Sequence, residues 1–376
     1  MKNSKQIFLL LLVFLPGCIS QFIPRTSESA ELLIVEGLIT DKYGNSTIKL
    51  SKSMPLGIRS SANPVSGSEV TISDDLGSTV SFTETVPGTY VPPTFFVGVI
   101  GQSYTLHVTT YSGSGILNYE SFPMKMNPVP LIDSLFYEKV LILDNVEESS
   151  VVQEGCQVYL NTHDPSNNCR FYRWEFAETW EIEIPYTVPN KFCWVSDNSS
   201  VIKIKNTSTL AEDRINRYPI NFVSNLTDRL SKRYSILVNQ YSLNEDEYLY
   251  WEKLQNIAEQ VGGLYDMIPS SIPSNVTCID DPTEKVLGYF SVSANTSKMI
   301  FIKDQFKGLV NQYPDNQCIA DTIFGGEPFP ANLNISAWII INNFMPPFNV
   351  ITYTKGCYDC TTRGTTTEPD FWTEGK

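Results

Sequence analysis

The chain has 376 residues, a length that suggests two or three domains rather than one small module. Its formal net charge of −14 argues against a nucleic-acid binder, which needs a basic face to displace counterions from phosphate. Hydrophobic residues make up 42%, enough for a core and too many for a disordered chain, and with only two histidines, His107 and His163, there is little room for His-based hydrolysis or a His-rich metal site. Aromatics reach 12%, with 19 Tyr and 20 Phe, a composition that suits a β-rich extracytoplasmic protein.

Residues 1–17 read as a lipoprotein signal peptide. Lys2 and Lys5 give a basic start, and Ile7–Leu15 is an unbroken apolar run. That run is too short for a bilayer span of about 20 residues but fits a signal-peptide core. It ends in Leu15-Pro16-Gly17-Cys18, which resembles a bacterial lipobox. In such signals the chain is cut before the Cys, which carries acyl chains on its sulfur and on the new amino group. Cys18 is therefore the expected lipidation site. Several acyl chains anchor stably where one is marginal. Ile19 in the following position favours the outer membrane over inner-membrane retention, and 18–30 form a polar tether.

From residue 31 the pattern is β. Glu31–Thr40 and Ser46–Ser51 flank a Gly44-Asn45 turn; Glu69–Ser73 alternates; Asp74-Asp75-Leu76-Gly77 turns into Ser78–Thr83; Ser103–Thr109 alternates Tyr104, Leu106 and Val108 against polar neighbours. Short strands at this spacing predict an immunoglobulin-like sandwich over 31–125. The run of Val65–Gly77, Gly88–Val91 and Gly101–Val108 also resembles the small transthyretin-like sandwiches appended to peptidases and TonB-linked transporters. His107 falls on the polar phase of its strand and is expected to be solvated.

A Gly/Ser/Pro-containing stretch, 112–134, places a boundary near 125–130, with a larger β-rich domain over 126–376. It opens on Leu135–Leu143. In Arg173–Ile184, Trp174, Phe176, Trp180, Ile182 and Ile184 share one phase, and Arg173, Glu175, Thr179, Glu181 and Glu183 the other. Glu178 falls on the apolar phase and needs a partner if buried, for which Arg173 is the candidate. The carboxylates of the polar phase read as a solvated sheet face rather than an acid–base pair.

One helix is expected over 245–261. Asn244 can cap it, Glu245, Asp246 and Glu247 suit its first turn, and Gly262-Gly263 ends it. Tyr248, Trp251, Leu254, Ala258 and Val261 keep 3–4 spacing, an amphipathic stripe read as core. Strands are expected again at Val286–Val292, Met299–Ile302 and Ile335–Ile341.

Seven further cysteines, Cys156, Cys169, Cys193, Cys278, Cys318, Cys357 and Cys360, are candidate disulfide partners in an oxidising compartment. Seven is odd, so at least one stays unpaired within the chain, and sequence leaves the connectivity open. Cys357-Tyr358-Asp359-Cys360 is a CxxC. A redox dithiol should open a helix after a strand, and a zinc site needs two more ligands at metal spacing; neither context is visible, so structural disulfides are the expectation. No GxSxG, HExxH, Walker loop or GxGxxG occurs. Asp164–Asn168 and Asp280–Glu284 carry oxygen ligands suited to Ca2+ but read as plain turns. No catalytic residue, cofactor or metal ligand is assigned.

With these segments in hand, the chain resembles the Bacteroidota outer-membrane lipoproteins of domain-of-unknown-function family 4249. The resemblance is carried by Leu33–Asp41, Ile48–Ser51, Pro64–Gly67, Pro128–Leu135, Arg233–Leu243, Tyr248–Trp251, Val286–Phe290, Cys357–Thr365 and Pro369–Trp372. It implies an outer-membrane lipoprotein encoded beside a TonB-dependent transporter, and no catalytic residues come with it. The expectation is a non-enzymatic accessory subunit of such a barrel that helps capture or gate a nutrient. The alternative is a stand-alone binding or adhesion lipoprotein recognising a glycan or protein. Ile19–Pro24 lacks the acidic residues that follow the lipidated Cys in surface-exported lipoproteins of this phylum, so the membrane face stays open.

Overall fold

The computed structural model describes residues 31–54, 63–112, 115–146, 149–184, 189–230, 232–259, 272–302, 309, 320–324, 339–341, 348–352, 356 and 359–375. The leader, Cys18 and the tether lie outside these residues.

Alternation builds the first unit. Strands β1 (Leu33–Thr40), β2 (Thr47–Lys52), β3 (Asn63–Pro64), β4 (Glu69–Asp74), β5 (Thr79–Val86), β6 (Thr89–Val91), β7 (Ser103–Ser112), β8 (Gly115–Ser121) and β9 (Met124–Lys125) make it up. Of these, β1, β2, β4, β5 and β7 fall where strands are expected, whereas β8 and β9 fall in the stretch read as a boundary. Val35 and Ile39, Ile48 and Leu50, Val70 and Ile72, and Leu106 and Val108 are all buried in one core. Strand β5 pairs with β4 on one side and with β6 on the other, carrying the chain from one sheet into the next.

The second unit holds two further sheets. Strands β10 (Ile132–Val146), β11 (Ser149–Asp164), β12 (Phe171–Glu183), β13 (Phe192–Asn198), β14 (Lys203–Asn206), β15 (Asp213–Ser224) and β16 (Tyr234–Ser242) precede helix α1 (Glu245–Glu259). One sheet runs β10-β11-β15; in the other, β12 takes β16 on one edge and β13 and β14 on the other. Val158, Leu160 and Ile220 from the first meet Trp174, Phe176, Ile236 and Val238 from the second. The Trp174 indole donates to Gln240 Oε1 at 2.9 Å, and Gln240 Nε2 donates to the Pro130 carbonyl at 2.8 Å. This buried amide therefore has partners for both its ends, as an interior polar group requires.

Glu178 is buried as its phase indicates, but its partner is not Arg173. Residues 173 and 178 are an odd number apart on one strand and so point to opposite faces. Arg229, in a 3-10 turn at Asp228–Leu230, donates from Nε to Glu178 Oε1 at 2.7 Å, and the Tyr234 hydroxyl donates to Oε2 at 2.7 Å.

The chain then returns to the first unit. Strand β17 (Val276–Cys278) pairs with β8, and β18 (Val286–Ser293) runs parallel to β1 from Leu33↔Val286 to Thr40↔Ser293. Residues 276–293, read from sequence as part of the C-terminal domain, thus complete the N-terminal sheets. Between β17 and β18, Asn275 replaces a ladder pair with its side chain: Oδ1 accepts from the Phe290 N–H and Nδ2 donates to the Phe290 carbonyl, both at 2.8 Å. Strand β19 (Asn295–Ile302) rejoins the second unit on β16. Strands β20 (Ala320–Phe324), β21 (Ile339–Ile341) and β22 (Phe348–Thr352) form a small antiparallel sheet in the order β20-β22-β21.

The cysteines divide by location. Cys193 on β13 and Cys360 form a disulfide, so this member of the CxxC pairs far across the chain. Cys156, Cys169 and Cys278 were all candidates for disulfides, and all three are buried. Cys169 and Cys278 are thiols enclosed in two different cores. Burial pushes the Cys169 thiol up to about 12, which leaves it inert rather than reactive. Cys318 and Cys357 lie outside the described residues.

A candidate ligand cavity under the helix

The outward-facing phase of a half-buried sheet is ordinarily polar. On β1, β2 and β18 it is mixed: Ile34, Leu38 and Leu287 alternate with Glu36, Lys49 and Ser291. Helix α1 and one face of β12 look onto this surface and bound with it a cavity of about 500 Å3. Tyr250, Trp251 and Leu254 of α1 form one wall, and Arg173 and Glu175 of β12 form another. The parallel register sets the floor, placing Glu36 beside Tyr289 and Leu38 beside Ser291.

Arg173 joins the two units. It is 7% exposed. Its guanidinium lies over the Trp251 ring at 4.3 Å and the Tyr241 ring at 5.0 Å, an arrangement favoured by the ring quadrupoles. Nη1 donates to Glu175 Oε1 at 2.7 Å, while Nε is buried with no hydrogen-bond partner. Tyr250 completes an aromatic wall, its ring 4.6 Å from that of Tyr289 and 5.6 Å from that of Trp251. A smaller cavity of about 170 Å3 shares Arg173, Glu175 and Trp251 and continues along Ser199–Lys203.

Glu247 stands behind this wall and is fully buried at 0% exposure. Its Oε1 accepts from the Trp251 indole at 3.3 Å, and its Oε2 has no hydrogen-bond partner. Burial pushes its carboxyl up to about 7, against the lowering pull of Ser291, Arg173 and Trp251. Burial also raises the phenols of Tyr250 and Tyr289, with Glu36 adding to the first and Glu247 and Asp246 to the second.

The helix forms over Glu245–Glu259 of the expected 245–261, with two differences in how its residues are used. The Asn244 carbonyl accepts the first helical bond from Tyr248 at 2.9 Å, but its side chain is not a cap. Its Oδ1 accepts from Asn127 Nδ2 and its Nδ2 donates to the Lys125 carbonyl, tying the helix start to the interdomain segment. The expected stripe also splits: Tyr248 and Trp251 pack with Ile204, Tyr241 and Leu243, whereas Ala258 is exposed. Tyr250, Trp251 and Leu254, again at 3–4 spacing, form the cavity-side face, with Glu247 buried behind them. Val261 and Gly262-Gly263 lie outside the described residues. Glu247 and Arg173 were both missed as a site, although the i,i+4 spacing of Glu247 and Trp251 was visible.

Other candidates resolve differently. Asp164 accepts from the N–H groups of Ser166, Asn168 and Cys169, and Asp281 from that of Thr283, so both acidic loops are turns capped by their own carboxylates. Among the described residues, no group of three or more His, Cys, Asp and Glu is placed to hold a metal. His163 meets Asp133 at 2.6 Å. His107 is not simply solvated: its Nε2 lies 2.8 Å from Ser73 Oγ and its Nδ1 3.3 Å from Glu120 Oε2. These are the distances of a Ser-His-Glu triad. The trio sits on the open face of β4, β7 and β8, where β4 and β7 each pair on both edges. Their N–H groups are committed to those ladders, leaving no preformed main-chain oxyanion site beside Ser73 among the described residues.

The model of a family described as domain of unknown function (DUF4249) matches residues 19–299. The closing segments Cys357–Thr365 and Pro369–Trp372 lie past that range. No curated protein matches the chain.

Proposed function

The chain belongs to the DUF4249 family, and from that premise we propose that it is a lipid-anchored, non-catalytic accessory subunit of a TonB-dependent outer-membrane transporter in Bacteroidota. In this reading Cys18 carries the acyl chains, 18–30 give reach from the membrane, and the folded units capture a nutrient for the barrel. The cavity under α1 is the observation that carries the capture role. It is of small-ligand size, lined by apolar and aromatic side chains with a few convergent polar groups, as binding sites are. The leader supports the anchor: its apolar run ends at Leu15-Pro16-Gly17-Cys18.

The test is a mild-detergent pull-down of the tagged, lipidated chain from its own outer membrane, followed by mass spectrometry. A stoichiometric TonB-dependent barrel supports the transporter role. Its absence across several growth conditions overturns that role and leaves a stand-alone capture lipoprotein. In parallel, Cys18→Ala is expected to move the chain out of the membrane fraction; retention there would overturn the anchor.

A further inference from the structure

We infer that the cavity under α1 binds a neutral saccharide, with a sugar ring against the aromatic wall of Tyr250, Trp251 and Tyr289 and its hydroxyls on the polar wall around Arg173. The inference deepens the capture reading and rests on it for its biological setting.

Charge comes first. The ionisable side chains lining the cavity, apart from tyrosine phenols, are Glu36, Glu175, Lys49 and Arg173, two acids and two bases. Arg173 and Glu175 already neutralise each other at 2.7 Å. A strongly anionic or cationic ligand therefore finds no net field to hold it.

Hydrogen bonding narrows the choice. Arg173 Nε, on the cavity wall, is a buried donor without an acceptor, and buried polar groups in native proteins find partners. Glu36 and Glu175 on the same lining are acceptors. A carboxylate would serve the arginine but would face Glu36 and Glu175. An ammonium would serve those acids but would face Arg173 and Lys49. Hydroxyl groups both accept and donate, so a polyol answers both needs without adding charge.

Shape supplies the rest. Aromatic rings present a negative face, which suits the polarised C–H face of a pyranose. Tyr250 and Trp251 stand on a helix and Tyr289 on a strand, so the wall is held by rigid elements, as a preorganised site requires. Clamping of Arg173 between Trp251 and Tyr241 fixes the guanidinium plane before any ligand arrives.

The experiment is titration calorimetry on the full lipidated chain in mild detergent. The probes are maltotriose, cellotriose, xylotriose and chitotriose as neutral sugars, with trialanine and trigalacturonate as peptide and anionic controls. At least one neutral trisaccharide is expected to bind, with both controls silent. Tyr250→Ala and Arg173→Gln are each expected to weaken that binding at least tenfold. Tyr250→Ala, at a half-exposed position, is judged only if its melting temperature matches the parent, and Lys49→Gln at the exposed rim serves as a second variant, expected to weaken binding about threefold. Silence across the neutral panel overturns the inference. So does preferential binding of trialanine or trigalacturonate, or sugar binding that Tyr250→Ala and Lys49→Gln both leave unchanged. A barrel in the pull-down with no sugar binding overturns this inference alone; sugar binding with no barrel overturns the transporter role alone.

Discussion

Glu247 occupies the first turn of α1, where the helix dipole favours an anion, yet burial raises its carboxyl from 4.5 to about 7. Between those values the folded protein holds a proton that the unfolded chain has released. The stability this group contributes is therefore fully present below about pH 4.5 and is lost as pH rises through about 7. The full loss is on the order of 3 kcal/mol. Besides burial, the groups acting on this carboxyl are Ser291 from β18, the Arg173 guanidinium from β12 and the Trp251 indole from its own helix. Glu247→Gln is expected to be more stable than the parent at pH 8 and to lose most of that advantage at pH 5. Urea midpoints at both pH values check this; a constant difference would mean that Glu247 does not titrate in this range. Ser73 carries a second residue-scale prediction. Without an oxyanion site its hydroxyl should not react with a fluorophosphonate probe, and an adduct at Ser73 by mass spectrometry would overturn the non-catalytic reading. Phase along β12 made burial of Glu178 legible in the sequence. The same parity excludes Arg173 as its partner, and only the fold brings Arg229 to it from more than one strand away.

Hydrophobic alternation marks β1, β4, β7 and β12 as strands because each buries chiefly one face, and period two survives in the sequence wherever that holds. Pairing partners are a different matter. Nothing local to Leu33–Thr40 announces a parallel partner at Val286–Ser293, since the decision belongs to tertiary packing. One residue in β18 does carry a backbone signature: Gly288 has φ of +82°, and a Cβ there would lie 2.1 Å from the Val35 carbonyl oxygen of β1. Both the left-handed conformation and the close approach of the two strands require glycine. Gly288→Ala is expected to destabilise by more than about 1 kcal/mol from conformation alone, with the steric clash adding to it. Thermal unfolding followed by circular dichroism reads the effect. An unchanged midpoint would mean that β18 can shift on β1 without loss. Because Leu287 and Tyr289 flank Gly288 on the cavity floor, the same variant should also distort the site.

At the scale of the whole molecule, the units are joined by strands that leave and return, and the C-terminus is tied back onto the second unit. Trp194 and Thr365 exchange main-chain hydrogen bonds of 2.8 and 3.0 Å, the Cys193–Cys360 disulfide sits beside them, and Trp372 is buried 5.5 Å from the Phe301 ring. The presence of a disulfide-forming cysteine in the CxxC was legible in the sequence. Its partner was not, because Cys193 and Cys360 are 167 residues apart and spacing carries no information over that distance. Closing so long a loop removes much freedom from the unfolded chain, and the stabilisation expected is about 2–5 kcal/mol. Cys360→Ser, or reduction of the parent, should lower the urea midpoint accordingly and expose the closing segment to limited proteolysis before the rest. The cavity under α1 is built from β1, β2, β12, β18 and the helix, none of which carries this tether. Ligand binding should therefore survive reduction at temperatures below the lowered transition. Loss of binding together with the tether would mean that the second unit, through β12, transmits the state of its C-terminal edge to Arg173.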